Sequence, residues 1–351
     1  GTRMVLVWFF FAFLSTALTK QTKPARVAIV GAGVSGGSAA YFLRQRFDTS
    51  SLEIDVFEKE DFVGGRMHDT IIKGQRVEVG ASVFHAVNRN MMKFAKTFGL
   101  THEKNKYMVE GKLGIWDGAE FRFWETEWGI WNKISMIWRY GLSILRIKRE
   151  VDTMMKPFNE IYDILDQKKG ASTPQELFGK LLDYTDVSIG KFLGAASEAN
   201  GGPISPLFLE EFVTAVNRIN YGQDLSLNAF AGMVSLVGAE PELFTVTAGN
   251  QKVVDHLLNH SNCNLKLGER IKSIEKVPTG YVLNGKTLRS YDAVVFAAPL
   301  EFNLATGKLK FSEQLTQVLP DQLSSAGNFP RSYVTTHVTF VVGTQLQMRV
   351  S

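Results

Sequence analysis

An apolar strand that runs straight into a glycine turn constrains this chain more than any other feature: Val27-Ala28-Ile29-Val30-Gly31-Ala32-Gly33-Val34-Ser35-Gly36-Gly37. The glycines follow the G-x-G-x-x-G spacing, with a helical stretch over residues 38–46 behind them. Strand, turn and helix in that order predict a unit that holds a dinucleotide pyrophosphate on helix amides. Gly31 permits the tight turn, Gly33 lets backbone approach the pyrophosphate, and Gly36, with Gly37 beside it, lets the helix pack closely on its strand. A second strand, Leu52–Phe57, ends on Glu58, about twenty residues past the last glycine of the turn, where a carboxylate accepts ribose hydroxyls.

A second diglycine, Gly64-Gly65-Arg66, follows the acid. Nicotinamide dehydrogenases have no need of it. Flavoproteins of the glutathione-reductase and amine-oxidase type use such a turn to bring backbone and an arginine to the FAD diphosphate, so the expected cofactor is FAD. Residues 74–82 read as a short strand ending in small residues, and Gly80, Ala81 and Ser82 would pass beside the isoalloxazine ring. His85 sits near that ring or caps the helix expected over residues 88–98.

The chain has 351 residues, 45% of them hydrophobic, enough for a large core in two lobes. Its net charge of +4 is small and no Lys/Arg block stands out, which argues against a nucleic-acid partner. The dense apolar run from Met4 to Leu14, followed by Ala17 and Thr19, predicts a secretory signal over residues 1–19, cleaved or kept as an anchor. At about fourteen residues the run is shorter than the roughly twenty that span a bilayer. A lumenal chain would make Asn259-His260-Ser261 a usable glycosylation sequon. The single cysteine, Cys263, has no intrachain partner and reads as structural.

From residue 124 to 165, tryptophan, methionine and isoleucine recur at helical spacing, predicting one or two long helices with a broad apolar face, most of it core. The basic run over residues 139–149, interleaved with Leu142, Ile144, Leu145 and Ile147, predicts an amphipathic helix with peripheral membrane contact as its sharper reading. After a Gly/Pro linker and a helix over residues 207–216 comes a polar cluster, Asn217 to Leu225, in apolar surroundings. Gly249 and Asn250 open another helix and could place backbone near the flavin. Residues 265–274, including Ile271, resemble the strand that pairs with the FAD adenine. Residues 281–283 and 287–289 form a hairpin around Asn284-Gly285. The run from Asp292 to Pro299, with Ala297 at its end, predicts a buried parallel strand finishing near the diphosphate. No CxxC or HExxH occurs, and the G-x-S-x-G match at Gly33 to Gly37 is the dinucleotide turn itself, so neither a metal site nor a nucleophilic hydrolase is expected.

Several segments together resemble the prenylcysteine oxidase (farnesylcysteine lyase) family of FAD-dependent amine oxidoreductases. They are Ala39-Ala40-Tyr41-Phe42-Leu43-Arg44-Gln45, Trp138-Arg139-Tyr140-Gly141, Asn220-Tyr221-Gly222-Gln223 with Asn228-Ala229-Phe230, the Gly249-Asn250 pair, and the strand end from Val295 to Leu300. The resemblance runs from about Lys23 to Val342. It departs at Ala81, where the family has a second glycine, and at the end, where family members continue past Ser351. That predicts an incomplete C-terminus without the segment that closes the flavin site, after an apolar strand over residues 334–342.

The resemblance implies an α/β fold: a Rossmann-like FAD domain over residues 23–100 and 245–300, with an inserted helical and mixed-sheet substrate domain over 101–244 and 301–351. It implies oxidative cleavage of a lipophilic thioether, prenylcysteine, to prenyl aldehyde, cysteine and hydrogen peroxide, with molecular oxygen as acceptor. It also implies a place in the catabolism of prenylated proteins in a lysosomal or vacuolar lumen. His85, Asn220, Tyr221 and Gln223 are the candidate catalytic-site walls. Three other readings stay open: a flavoenzyme acting on polyamines or an apolar polyene, a catalytically silent lumenal FAD-fold or lipid-binding protein, and an NAD dehydrogenase, which Gly64-Gly65-Arg66 disfavours.

Overall fold

In a computed structural model the described residues are 23–104, 112–167, 173–195, 201–239, 242–318, 337 and 339–340. The expected signal over 1–19 and most of the expected strand over 334–342 lie outside them. Strand β1 (Ala25–Val30) leads through the glycine turn into helix α1 (Val34–Arg46). The helix begins four residues earlier than its side-chain pattern suggests, because the turn's own Val34 to Gly37 are its first turn. Strand β2 (Leu52–Phe57) pairs parallel with β1 from Ala25↔Leu52 to Val30↔Phe57. The small-residue segment is a hairpin rather than a lone strand: β3 (Asp69–Ile72) pairs antiparallel with β4 (Gln75–Glu78), turning at Lys73 and Gly74, both at positive φ. Next come β5 (Phe84–His85) and helix α2 (Arg89–Thr97). His85 does not cap α2. Asn88 does, its Oδ1 accepting from Met91 N at 3.1 Å.

The inserted segment begins with β6 (His102–Lys104) and the hairpin β7 (Gly114–Trp116)–β8 (Phe121–Trp124). Two helices follow, α3 (Gly129–Tyr140) and α4 (Ser143–Asp166). The single amphipathic helix expected over residues 139–149 is therefore cut, because Gly141 takes φ +61° and ends α3. The helix expected over 207–216 is longer than its apolar pattern. Pro206–Phe208 runs through a π turn, Leu209–Val213, into α5 (Thr214–Tyr221), which Gly222 closes in the left-handed region. The polar cluster at 217–225 is thus a helix end and its cap. Helix α6 (Ala229–Val237) is capped by Asn228, and β9 (Leu243–Val246) returns to pair antiparallel with both β5 and β6. The lobe's core gathers Met154, Leu181, Ile189, Leu193, Phe208 and Met233.

Glu211, on the π turn, anchors α3. It accepts from Arg139 Nε at 2.8 Å and Nη2 at 2.6 Å, and from the Tyr140 hydroxyl at 2.8 Å. The Arg139 bond holds the Glu211 carboxyl below its usual range, while burial first and Glu211 second push the Tyr140 hydroxyl up to about 12. A carboxylate depressed on folding adds stability above its unfolded pKa, near 4.3, and loses it as pH falls through the lower folded value. The stability gap between the native chain and Glu211→Gln is therefore expected to be full at pH 6 and to close below about pH 4, read from urea midpoints across pH.

The chain then returns to the first lobe with helix α7 (Gln251–Ser261) and β10 (Asn264–Lys266), which pairs parallel with β2. Residues 265–274 are not one strand. Gly268, at φ +68°, turns the chain out of β10, and β11 (Ser273–Val277) starts a second sheet. There β11 pairs antiparallel with β12 (Gly280–Leu283), which pairs with β13 (Ser290–Tyr291). Asn284 and Gly285 make the tight turn, both at positive φ, with Lys286 N bonded to Leu283 O. Residues 287–289 are loop, and the returning strand is β13. Strand β14 (Ala293–Phe296) rejoins the first sheet parallel to β1, whose order is β10-β2-β1-β14, and β15 (Lys310–Phe311) edges the second. A core of Val27, Ile29, Ile54, Val56, Val254 and Leu257 lies between the first sheet and helices α1 and α7.

Candidate functional site

The two diglycine motifs meet. Gly33 forms a parallel bridge with Gly64, and Gly64 N donates to Ala32 O at 2.9 Å. Around them the need for glycine is steric. A Cβ on Gly36 would overlap the Gly31 carbonyl oxygen, and one on Gly31 would lie 3.1 Å from the carbonyl of Ala297 at the end of β14. Gly37 acts on packing instead. Its Cβ would touch Leu257 at 3.4 Å, so it sets how closely α1 approaches α7. Gly64 and Gly65 have φ of +110° and +59°. No side chain caps the first turn of α1, whose N-cap is Gly33, the partner of Gly64. Gly33 and Gly65 leave a side-chain-free cradle there, the nearest atom to a Cβ on Gly65 being Gly33 Cα at 3.5 Å.

Glu58, at the end of β2, is buried and held by two amides: Oε2 accepts from Ala32 N at 2.9 Å and Oε1 from Glu60 N at 3.1 Å. The segment carrying Ile271 is tied to the same place through Glu269 N, which donates to Glu58 O at 2.8 Å. Ile271 packs its side chain into the core with Ala28, Val30 and Leu283. Its own amide and carbonyl have no hydrogen bond among the described residues, leaving one donor and one acceptor free.

Beyond Gly65 the cradle continues as an exposed rim of Arg66, Gly80, Ala81 and Ser82. Ala81 N donates to Arg66 O at 3.0 Å, and a Cβ on Gly80 would overlap that oxygen. Among the described residues the Arg66 guanidinium has no hydrogen bond or ion pair. Asn250 locks the rim from behind. It is buried, its Nδ2 donates to Ala81 O at 2.8 Å, its Oδ1 accepts from Val246 N at 2.9 Å, and its backbone N donates to Glu78 Oε1 at 2.7 Å. Desolvation, its largest influence, raises the Glu78 carboxyl above its usual range. Sequence reading placed Asn250 near the site but missed that its side chain is the clasp. Asn250→Ala is expected to cost about 1–3 kcal/mol, since it orphans the buried Val246 amide and releases the Ala81 carbonyl, as a lower urea midpoint would show.

The candidate catalytic residues are not gathered at this rim. His85 is buried on β5, paired with Leu243. Its Nδ1 accepts from Val87 N at 3.2 Å, which puts the proton of the neutral ring on Nε2, and that atom is buried without a partner. Asn220 spends its amide on α6, donating from Nδ2 to Ser235 O and Oγ, both at 3.0 Å. Tyr221 is half-exposed, with its hydroxyl raised by desolvation, and Gln223 follows the Gly222 cap. The hydrogen bonds of Asn220 thus stay within the helical lobe. Asn217, which opens the polar cluster but is not among the candidate site residues, is fully buried on α5 with neither side-chain atom bonded. Among the described residues no group of three or more His, Cys, Asp or Glu is placed to hold a metal.

A family model described as prenylcysteine lyase matches residues 123–350. The chain belongs to the prenylcysteine lyase family. A second model, an NAD(P)-binding Rossmann-like domain, matches residues 29–98, where the two diglycines and Glu58 lie. Human prenylcysteine oxidase 1 is 36% identical over 295 residues, covering 80% of this chain and 57% of that protein. Farnesylcysteine lyase of Arabidopsis thaliana is 32% identical over 306 residues, covering 82% and 60%. The chain thus spans well under two thirds of the length of these relatives. Among solved structures, a putrescine oxidase superposes with a TM-score of 0.53 at 17% identity, over 86% of this chain and 62% of that one. Cyclohexylamine oxidase from Brevibacterium oxydans does so with a TM-score of 0.52 at 16% identity, over the same shares. At such identities these show the fold, an α/β dinucleotide-binding lobe carrying an inserted lobe. In this prenylcysteine lyase family member the cradle fits a flavin or nicotinamide dinucleotide: bare backbone at the diphosphate position, free helix amides, and a carboxylate at the ribose position.

Proposed function

We propose that this chain binds FAD and serves in oxidative cleavage of the prenylcysteine thioether, acting on a lipophilic isoprenoid cysteine with oxygen as the final acceptor. The observation that carries the reading is the union of Gly33 with Gly64 within a chain whose residues 123–350 match the prenylcysteine lyase model. The second diglycine doubles the backbone surface at the diphosphate and brings Arg66 to its edge, the feature that favours FAD over a nicotinamide cofactor. FAD supplies the two-electron acceptor when bound. The chain supplies the α1 amides and Gly33, Gly64 and Gly65 for the diphosphate, Glu58 for the ribose, and the free amide and carbonyl of Ile271 for the adenine edge. Gly80, Ala81 and Ser82 keep side-chain bulk away from the ring. His85 Nε2–H, buried and unmatched, is the donor in this set of walls best placed to meet a polar atom. Asn220 supports its lobe, and Tyr221 and Gln223 are the remaining wall candidates.

The apolar run before Ser15 supports a lumenal site of action, lysosomal or vacuolar, where prenylated proteins are broken down. In the sequon Asn259 is exposed on the last turn of α7, but the Ser261 hydroxyl is fully buried and donates to Leu258 O at 2.6 Å. The visible spectrum of the purified chain, before and after anaerobic farnesylcysteine, tests the proposal. Flavin bands that bleach on addition are expected. A colourless chain after reconstitution with FAD would rule out the cofactor, and bands that persist with farnesylcysteine would rule out the substrate.

A further inference from the structure

Helix α3 is built inside out. Beside Met136, the side chains turned into the lobe are polar: Asn132 is buried, its Oδ1 accepting from Thr126 N and its Nδ2 donating to Thr126 O, each at 2.8 Å, while Arg139 and Tyr140 close on Glu211. The large apolar ones face out. Trp128, Ile130 and Trp138 are 72%, 76% and 86% exposed, with Trp131, Ile134 and Ile137 filling the same outward stripe at three- and four-residue spacing. A surface helix of a globular protein shows the opposite arrangement. Leu142 and Leu145, both exposed, carry the apolar stripe past the break at Gly141.

The charge around the stripe has one sign. From Trp128 to Arg149 the chain has Lys133, Arg139, Arg146, Lys148 and Arg149 and no acid, Arg139 being held by Glu211 and Lys148 by Asp152. The flanking acids are engaged or hidden, Glu127 in an ion pair with Lys112 and Glu150 buried. Exposed Lys133 therefore lies on α3 beside its aromatic and aliphatic face, and exposed Arg149 follows Leu145 by one turn on α4, with no acid between the two in the chain. Such a rim repels a second copy of itself and suits an anionic surface. Tryptophan is the side chain that settles at the headgroup level of a bilayer, with an apolar body and one N–H for the wet side. The mode would be interfacial, since no helix among the described residues is long and apolar enough to cross a membrane.

We propose that α3 is a lipid-docking helix that lies flat on an anionic bilayer, with Trp131, Ile134 and Trp138 among the acyl chains and Lys133 and Arg149 at the phosphates. The inference stands on this face alone and needs neither flavin nor substrate. The test is co-sedimentation of the chain with phosphatidylcholine vesicles, with and without roughly one-third phosphatidylserine. The comparison is the triple variant Trp131→Ser, Ile134→Ser, Trp138→Ser, which keeps the apolar N-terminal run. Roughly tenfold weaker binding by the variant is expected, together with weaker binding of the native chain when salt shortens the screening length. Equal binding by both would assign any association to another segment. A native chain that stays in the supernatant, or that elutes as a dimer the variant breaks, would also overturn the proposal. Should the variant lose its circular dichroism, tryptophan quenching by brominated acyl chains decides in a Trp8→Phe background. The quench is expected to fall when Trp131 and Trp138 become phenylalanine, and an unchanged quench refutes the docking helix.

Discussion

Gly36→Val is expected to leave a chain that retains no dinucleotide and loses about 3 kcal/mol or more of stability. The reason is that the conflict is with backbone: a Cβ at residue 36 overlaps the Gly31 carbonyl oxygen, and the further methyl groups of valine would press on Ile29 Cγ2, 3.4 Å from that Cβ. Neither backbone segment can move without opening the β1–α1 turn. Gly65→Ala separates the two consequences. Its Cβ meets only Gly33 Cα at 3.5 Å, but φ is +59°, so the fold should lose only about 1 kcal/mol. The methyl group would nevertheless stand in the cradle and weaken cofactor binding. Thermal melting and the flavin absorbance of each purified variant distinguish the cases. Full retention of flavin by Gly36→Val would remove this turn from the site.

Asp55→Ala is expected to destabilise the chain by roughly 3–5 kcal/mol, the cost of breaking a buried ionic network from one side. Asp55 sits in β2 with 1% exposure. Its carboxylate accepts from the Tyr291 hydroxyl at 2.6 Å and from Asn264 Nδ2 at 2.9 Å, and it pairs with Arg289 Nη2 at 3.0 Å and Lys266 Nζ at 3.7 Å. One side chain thus joins β2 to β10 and to the second sheet. Asp55→Asn keeps an acceptor and should fall between the two, and adding Tyr291→Phe to Asp55→Ala should cost much less than it does alone. Urea midpoints of the four chains measure the cycle. A midpoint for Asp55→Ala within experimental error of the native value would show the network to be dispensable.

Local chemistry made much of the nucleotide lobe readable. The continuous apolar run at Ala293–Phe296 signals a buried parallel strand, Leu52–Phe57 carries apolar residues around Glu53 and Asp55, and the spacing of Gly31, Gly33 and Gly36 matches their contacts. Asp55 interrupts the apolar residues of Leu52–Phe57, and that was the signal for a buried hub. Its partners Asn264, Arg289 and Tyr291 lie more than two hundred residues away, so the pattern alone could not supply them. The break at Gly141 was hidden because the apolar residues flanking it keep their helical period across it. The outward turn of α3 was hidden for a related reason: periodicity reveals that a helix has two faces but not which one its neighbours choose, and Glu211 decides that here. Asn220, Tyr221 and Gln223 stood out as polar residues among apolar ones, a signature that a helix C-terminus shares with a binding site. Asn250 reads as a helix start, and only the approach of Ala81 and Val246 turns it into a clasp.

The sheet order β10-β2-β1-β14 also sets a timetable for biosynthesis. Strands β1 and β2 leave the ribosome early, but their outer neighbours arrive only after the entire insert, and Arg26 waits 266 positions for Asp292. At about 5–20 residues per second that is a delay of roughly 15–50 s. Over this interval the apolar β1 and β2 segments have open edges on both sides. The helical lobe, complete within a contiguous stretch, can fold during that wait. The Gly31 turn therefore meets its neighbour Ala297 only once the chain through β14 has emerged.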